Sequence, residues 1–210
     1  RVYNDGNSGV VITGRLDAYA GDDEVFILEV SDSGTATGFW SVTVDSTPDG
    51  DMAFPAFVFE NLDGDYYIGG RTDTPFLVGD SQLMAFLLKW DVDSPLDSRV
   101  ILNPAASKSL WSDGVLSSDG DPVVVGFVMG SEDGDFDMGT IWSFSDSTFF
   151  DDDADHGSLT LWHEDYSELR LISVDLASDD GFAFVGGGFS GPTLGDYSVN
   201  KVWSNGVMGG

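Results

Sequence analysis

Two loops of this 210-residue chain carry carboxylates at alternating positions and close on glycine. One is Asp133-Gly134-Asp135-Phe136-Asp137-Met138-Gly139, the other Asp151-Asp152-Asp153-Ala154-Asp155-His156-Gly157. Calcium takes roughly six to eight hard oxygen ligands, and three Asp at alternating positions of a tight loop deliver three of them from one segment. Asp133, Asp135, Asp137, Asp151, Asp153 and Asp155 are therefore the candidate metal ligands, and Ca2+ is the cation their chemistry suits. The pattern is not that of an EF-hand. Its glycine falls one residue late, and Phe144 and Trp162 stand where the closing Glu belongs. The competing reading is a solvated acidic loop, which arises readily in a chain with 37 acidic against 8 basic residues.

Other residue types offer less chemistry. His156 and His163 are the two imidazoles of the chain, too few by themselves for a zinc site of roughly three or four ligands. They read as loop histidines. Some pair of carboxylates at glycosidase spacing is inevitable among so many acids, so such a pair carries no information. No nucleophile elbow, phosphate loop or dinucleotide fingerprint occurs. The six tryptophans include Trp40, Trp90, Trp111 and Trp142. They could stack on sugar, but their places in or beside strand-like runs point to core packing. Arg15 and Arg71 each follow a glycine in similar settings. In a chain so poor in cations they are expected to pair with nearby Asp and fix the acidic loops.

The net charge of −29 sets limits on partners. No basic surface exists to neutralise phosphates, so nucleic acid is excluded, and anionic membranes would be repelled. Such charge also opposes compaction unless salt or bound cations offset it. A salty (halophilic) habitat and bound calcium are the two explanations open. The chain has no cysteine, hence no disulfides or thiolate metal sites. No apolar stretch is long enough for a membrane-inserted helix. The first residues, Arg1-Val2-Tyr3, read as the end of a strand inside a repeat, and the chain is expected to be a piece of something longer.

The elements that must carry these loops are strands. The organising unit is Asn61-Leu62-Asp63-Gly64-Asp65-Tyr66-Tyr67-Ile68-Gly69-Gly70-Arg71: an Asp-Gly turn, a short apolar strand, then glycine. The same grammar recurs at Asp5-Gly6, Asp119-Gly120 and Asp180-Gly181, at separations of 58, 56 and 61 residues. A fixed period of this size marks a modular array. Runs of about four to eight apolar residues bounded by Gly, Asp and Ser read as strands. They predict four antiparallel strands per unit, with the last unit ending without an evident fourth. The run Leu83–Trp90 is ambiguous by itself, but its β-branched and aromatic equivalents make it a strand. The expected fold class is all-β, a β-propeller-like array of about four four-stranded blades covering residues 1–48, 49–106, 107–165 and 166–210. One such sheet cannot bury both faces, whereas radial stacking covers them and leaves short edges. The central glycines are expected where neighbouring blades crowd together.

These units resemble the bacterial β-propeller repeat. Its modules run from Asp-Gly through an apolar strand ending in Gly to a later strand with Lys before an Asn/Asp-Gly turn. Gly195-Asp196-Tyr197-Ser198-Val199-Asn200-Lys201-Val202-Trp203-Ser204-Asn205-Gly206 matches best, and Leu87-Leu88-Lys89-Trp90-Asp91 is a second match. The first and third units have Glu29 and Ser143 near the place of that Lys. The glycine doublets and later tryptophans are also similar to kelch repeats. The resemblance implies the fold and an extracellular or cell-surface setting, and brings no catalytic residues with it. The function expected is a structural or binding scaffold, with protein partners, self-assembly or adhesion through acidic loops, and polysaccharide as a further partner class. A propeller-type glycoside hydrolase or lyase and a carbohydrate-binding module are the alternatives.

Overall fold

The computed structural model describes residues 2–4, 9–16, 24–44, 52–74, 82–91, 99–102, 108–129, 138–145, 157–161, 168–178, 181–189, 197–202 and 208–209. Among these, every regular element is a strand. The first antiparallel sheet runs β1 (Val2–Asn4), β2 (Val10–Leu16), β3 (Glu24–Val30) and β4 (Ala36–Thr43). The second holds β5 (Met52–Glu60), β6 (Tyr66–Thr74), β7 (Gln82–Trp90) and β8 (Arg99–Leu102). The third holds β9 (Lys108–Leu116), β10 (Pro122–Met129), β11 (Met138–Ser143) and β12 (Gly157–Leu161). The fourth holds β13 (Glu168–Leu176), β14 (Phe182–Phe189), β15 (Tyr197–Val202) and β16 (Met208–Gly209). Consecutive strands are neighbours in all four, so the protein is all-β and built from small meanders. The ambiguous run at Leu83–Trp90 is a strand, paired with β6 and β8. The final strand, β16, is a pairing missed in sequence, because two residues present no apolar run to read.

The turns follow from their residues. Between β5 and β6, Asn61 N–H donates to Asp65 O (2.8 Å) and Gly64 N–H to Asn61 O (3.4 Å). Gly64 has φ of 93°, as a three-residue hairpin loop closing in the left-handed region requires. The Asn61 side chain reinforces this loop, its Oδ1 accepting from the backbone N–H groups of Asp63 (3.0 Å) and Asp65 (2.8 Å). Gly120, with φ of 90°, closes the equivalent loop between β9 and β10, where Ser117 N–H reaches Asp121 O (2.8 Å). Between β13 and β14 the corresponding bond joins Ala177 N–H to Gly181 O (2.7 Å). Gly181 thus takes the place of Asp65 and Asp121, one residue later than Gly64 and Gly120. The sequence motif and the turn are out of step there.

Glycine has a different role inside the strands. Gly70, Gly126 and Gly186 sit in the second strand of their sheets, opposite a register shift in the first strand. A Cβ on Gly70 would collide with the carbonyl oxygen of Phe54, and one on Gly126 with that of Leu110. Both obstructions belong to the same sheet as the glycine. The crowding expected between blades is therefore crowding within one, because the bulge tips a carbonyl of the first strand over the second.

By contact, the chain divides into two compact units, 1–104 and 105–210. In the first, Val11, Val25 and Ile27 of the first sheet pack on Ala53, Val58, Tyr66, Ile68, Phe86 and Leu88 of the second. In the other unit Val123, Val125 and Ile141 pack on Leu171, Val174, Phe182 and Phe184. The period-two alternation of each strand places these residues on one face.

Candidate functional site

The register of the four sheets supplies a common frame. Gly14, Gly70, Gly126 and Gly186 pair with Phe26, Phe86, Thr140 and Ser198 of the third strand. Three residues further along that strand lie Glu29, Lys89, Ser143 and Lys201, opposite Val11, Tyr67, Val123 and Ala183. The four residues compared in the sequence thus share one structural position. Lys89 is buried there, with Nζ 3.8 Å from Asp65 Oδ2 and 5.7 Å from the centroid of the Tyr67 ring. The lysine ties the turn ahead of β6 to the end of β7. In the first sheet Glu29 acts outward. Its Oε1 accepts from the Tyr66 hydroxyl (2.9 Å), linking the first sheet to the second.

Arg15 and Arg71, expected to pair with nearby Asp, make a different described contact, with an aromatic ring. Their guanidinium carbons both lie 5.0 Å from the centroid of the Phe54 ring. Arg15 follows the repeat glycine of the first sheet, and Phe54 precedes the bulge on β5 of the second. In the other unit the same two positions hold Phe127 and Arg170. The Arg170 guanidinium lies 4.7 Å from the Phe127 ring. Cation and ring have exchanged strands while the contact between sheets is kept. Such contacts contribute about 0.5–2 kcal/mol, more when desolvated. Nothing in a single repeat announces this pair, because its members lie in different repeats and appear in opposite order.

Asp113 is the one buried carboxylate among the described residues. Its Oδ2 accepts from the Ser173 hydroxyl (2.6 Å) and from the Val174 backbone N–H (3.3 Å). Both donors lie on β13, so the carboxylate joins the third sheet to the fourth. A hydrogen-bonded buried charge of this kind serves structure. No pair of buried acids with the separation a glycosidase needs occurs among the described residues.

The tryptophans behave as packing residues where they are described. Trp90 and Trp111 are buried, Trp40 packs partly buried against the core of its unit, and Trp142 is partly buried. Trp142 lies 5.7 Å from the Trp111 ring and 6.0 Å from Phe144. None of these four forms an exposed platform. Trp162, Trp203, His156 and His163 lie outside the described residues, as do all six candidate ligands: Asp133, Asp135, Asp137, Asp151, Asp153 and Asp155. Among the described residues no cluster of three metal-ligating side chains occurs, and no helix is long and apolar enough to cross a membrane. In chain order one candidate segment lies between β10 and β11 and the other between β11 and β12.

No protein-family model matches the chain, and no curated protein matches it in sequence.

Proposed function

We propose that this chain is an array of β-propeller-like blades serving as an extracellular or cell-surface scaffold, with acidic loops that bind cations or protein partners. The observation that carries this reading is the shared register of the four sheets. Each repeats the glycine and third-strand positions in one frame, and four charged side chains join strand to strand or sheet to sheet. Glu29, Lys89, Asp113 and Arg170 each make such a contact. A frame so committed to packing leaves recognition to the loops, where carboxylates are concentrated. In the segments around β11 those carboxylates alternate as calcium ligands do, which supports Ca2+ over a purely screening role.

The experiment is thermal unfolding with and without a chelator at constant high sodium chloride. Divalent ions bound to the native state at about a hundred times their dissociation constant stabilise by about 2.7 kcal/mol. Monovalent salt acts by screening, without saturable sites. A fall in Tm on chelation, restored by calcium and absent in Asp151→Asn/Asp153→Asn, supports the cation reading. A Tm that follows ionic strength alone refutes it and leaves the acids as a salt adaptation.

A further inference from the structure

A buried amine, a buried amide and a carboxylate meet where the turn ahead of β6 touches the end of β7. Lys89 is 6% and Asn61 7% exposed, and Asp65, half-buried, contacts both. Its Oδ2 lies 3.8 Å from Lys89 Nζ and accepts from Asn61 Nδ2 at 3.4 Å. The amide is oriented from its other side. Asn61 Oδ1 accepts from the backbone N–H groups of Asp63 (3.0 Å) and Asp65 (2.8 Å), so Nδ2 is the atom turned to the carboxylate. Aromatic rings wall the amine. Lys89 Nζ is 5.7 Å from the Tyr67 centroid, and the fully buried Tyr67 ring packs 5.5 Å from Phe59.

Each group has a place in one reaction. An amine held away from water is a nucleophile. A carboxylate within reach of two nitrogens can carry a proton from one to the other. Two backbone N–H groups on a carbonyl oxygen form an oxyanion hole, which stabilises the charge that develops as the carbon becomes tetrahedral. The two bonds that close the turn thus also polarise the amide.

We propose that Lys89 and Asn61 join in an intramolecular isopeptide bond, formed by the folded chain itself with Asp65 as proton carrier. The Lys89 ammonium gives one proton to Asp65, and the free Nζ attacks Asn61 Cγ. The carbonyl electron pair moves onto Oδ1, held by the two N–H groups. Asp65 passes its proton to Nδ2 and takes a second one from Nζ. The Cγ–Nδ2 bond breaks with its electron pair on nitrogen, and the departing ammonia takes the proton from Asp65 and leaves as ammonium. No oxidant, cofactor or second chain takes part. The product ties the turn before β6 to the end of β7 covalently, in a chain that has no cysteine for a disulfide. A cross-link of this kind restricts the unfolded chain as a disulfide does. It does not involve bound cations, so it stands or falls separately from the chelation test above.

The common frame confines the bond to one sheet. Ser117, Asp121 and Ser143 hold the three positions in the third sheet, and Ala177, Gly181 and Lys201 hold them in the fourth. The third sheet lacks the amine, and the fourth lacks both the amide and the acid. Lys201 is therefore expected to remain a free amine.

The test is the intact mass of the folded full chain, read by mass spectrometry after denaturation and followed by tryptic peptide mapping. Wild type is expected to be lighter than its sequence by one ammonia. Trypsin cuts after Arg71, which lies between the two residues, so they fall on separate peptides unless joined. The expected map holds one branched species containing Asn61 and Lys89, uncut after Lys89, with ordinary cleavage after Lys201. Lys89→Arg and Asp65→Ala should each keep the full mass of their sequence, the second while retaining both amine and amide. Circular dichroism verifies that each is folded. A folded wild type at full mass overturns the proposal whatever the variants do. An ammonia loss that maps to another residue overturns it too, as does a loss of water that joins Lys89 to Asp65. Folded Asp65→Ala that still forms the bond overturns the part given to Asp65.

Discussion

Alanine at Gly126 would place one carbon against the carbonyl oxygen of Leu110, with Leu110 C at 2.9 Å and Trp111 Cα at 3.0 Å. All three atoms are backbone, held by the ladder between β9 and β10, so none can swing aside as a side chain would. Two effects oppose each other. Removing a glycine restricts the unfolded chain and by itself stabilises by about 0.4–1 kcal/mol. Overpacking a site that cannot relax costs about 1–3 kcal/mol. The second term is larger, and the net expectation for Gly126→Ala is a loss of roughly 1–2 kcal/mol. For a chain of this length that is a Tm lower by about 2–8 °C, read by calorimetry or circular dichroism. Gly70→Ala meets the Phe54 carbonyl, with Pro55 Cα at 2.9 Å, and should behave alike. Gly14→Ala is the informative contrast. Its nearest obstruction is the Phe26 ring at 2.6 Å, a side chain on a half-buried face that can turn away. The expected order of damage is Gly126 and Gly70 above Gly14. Equal Tm values for wild type, Gly70→Ala and Gly126→Ala would refute the placement of these glycines beneath the bulge carbonyls.

Other contacts yield sharp expectations. Phe127→Leu should cost about 0.5–2 kcal/mol beyond its change in packing. The exchange Phe127→Arg/Arg170→Phe, which copies the arrangement of Arg15 and Phe54, should recover more stability than either single change predicts; additive losses in the double-mutant cycle would contradict the swap. Asp113→Ala is expected to lose about 1.5–3 kcal/mol, since it strands the Ser173 hydroxyl and Val174 N–H. Ser173→Ala added to it should cost little more, which urea titrations of the four variants will check. Asn61→Ala removes the acceptor of two backbone N–H bonds in the turn before β6. A loss of about 1–2 kcal/mol is expected, with faster amide exchange at Asp65 as the local readout.

The sequence by itself determined the strands, most of their order and the class of the fold. The information is local: apolar runs of strand length, alternation that puts Val11 and Ile27 on one face, and turn residues such as Asn61 and Gly64 whose own bonds and φ close a hairpin. Where the local signal was thin it failed, as at β16, or drifted, as at Asp180-Gly181. The tertiary structure decided what lies across from what. A bulge is a property of a pair of strands, so only the register shows that Gly70 and Gly126 yield to a carbonyl in their own sheet. The guanidinium of Arg15 meets a ring from the next repeat, and the same contact reappears as Phe127 with Arg170, reversed along the chain. No periodic reading connects those two pairs. Burial of Asp113 in a chain with 37 acidic residues was equally hidden, because its two donors stand about 60 residues away in sequence. The cost of desolvating a charge is set by the neighbours it finds, and a chain read residue by residue does not specify them.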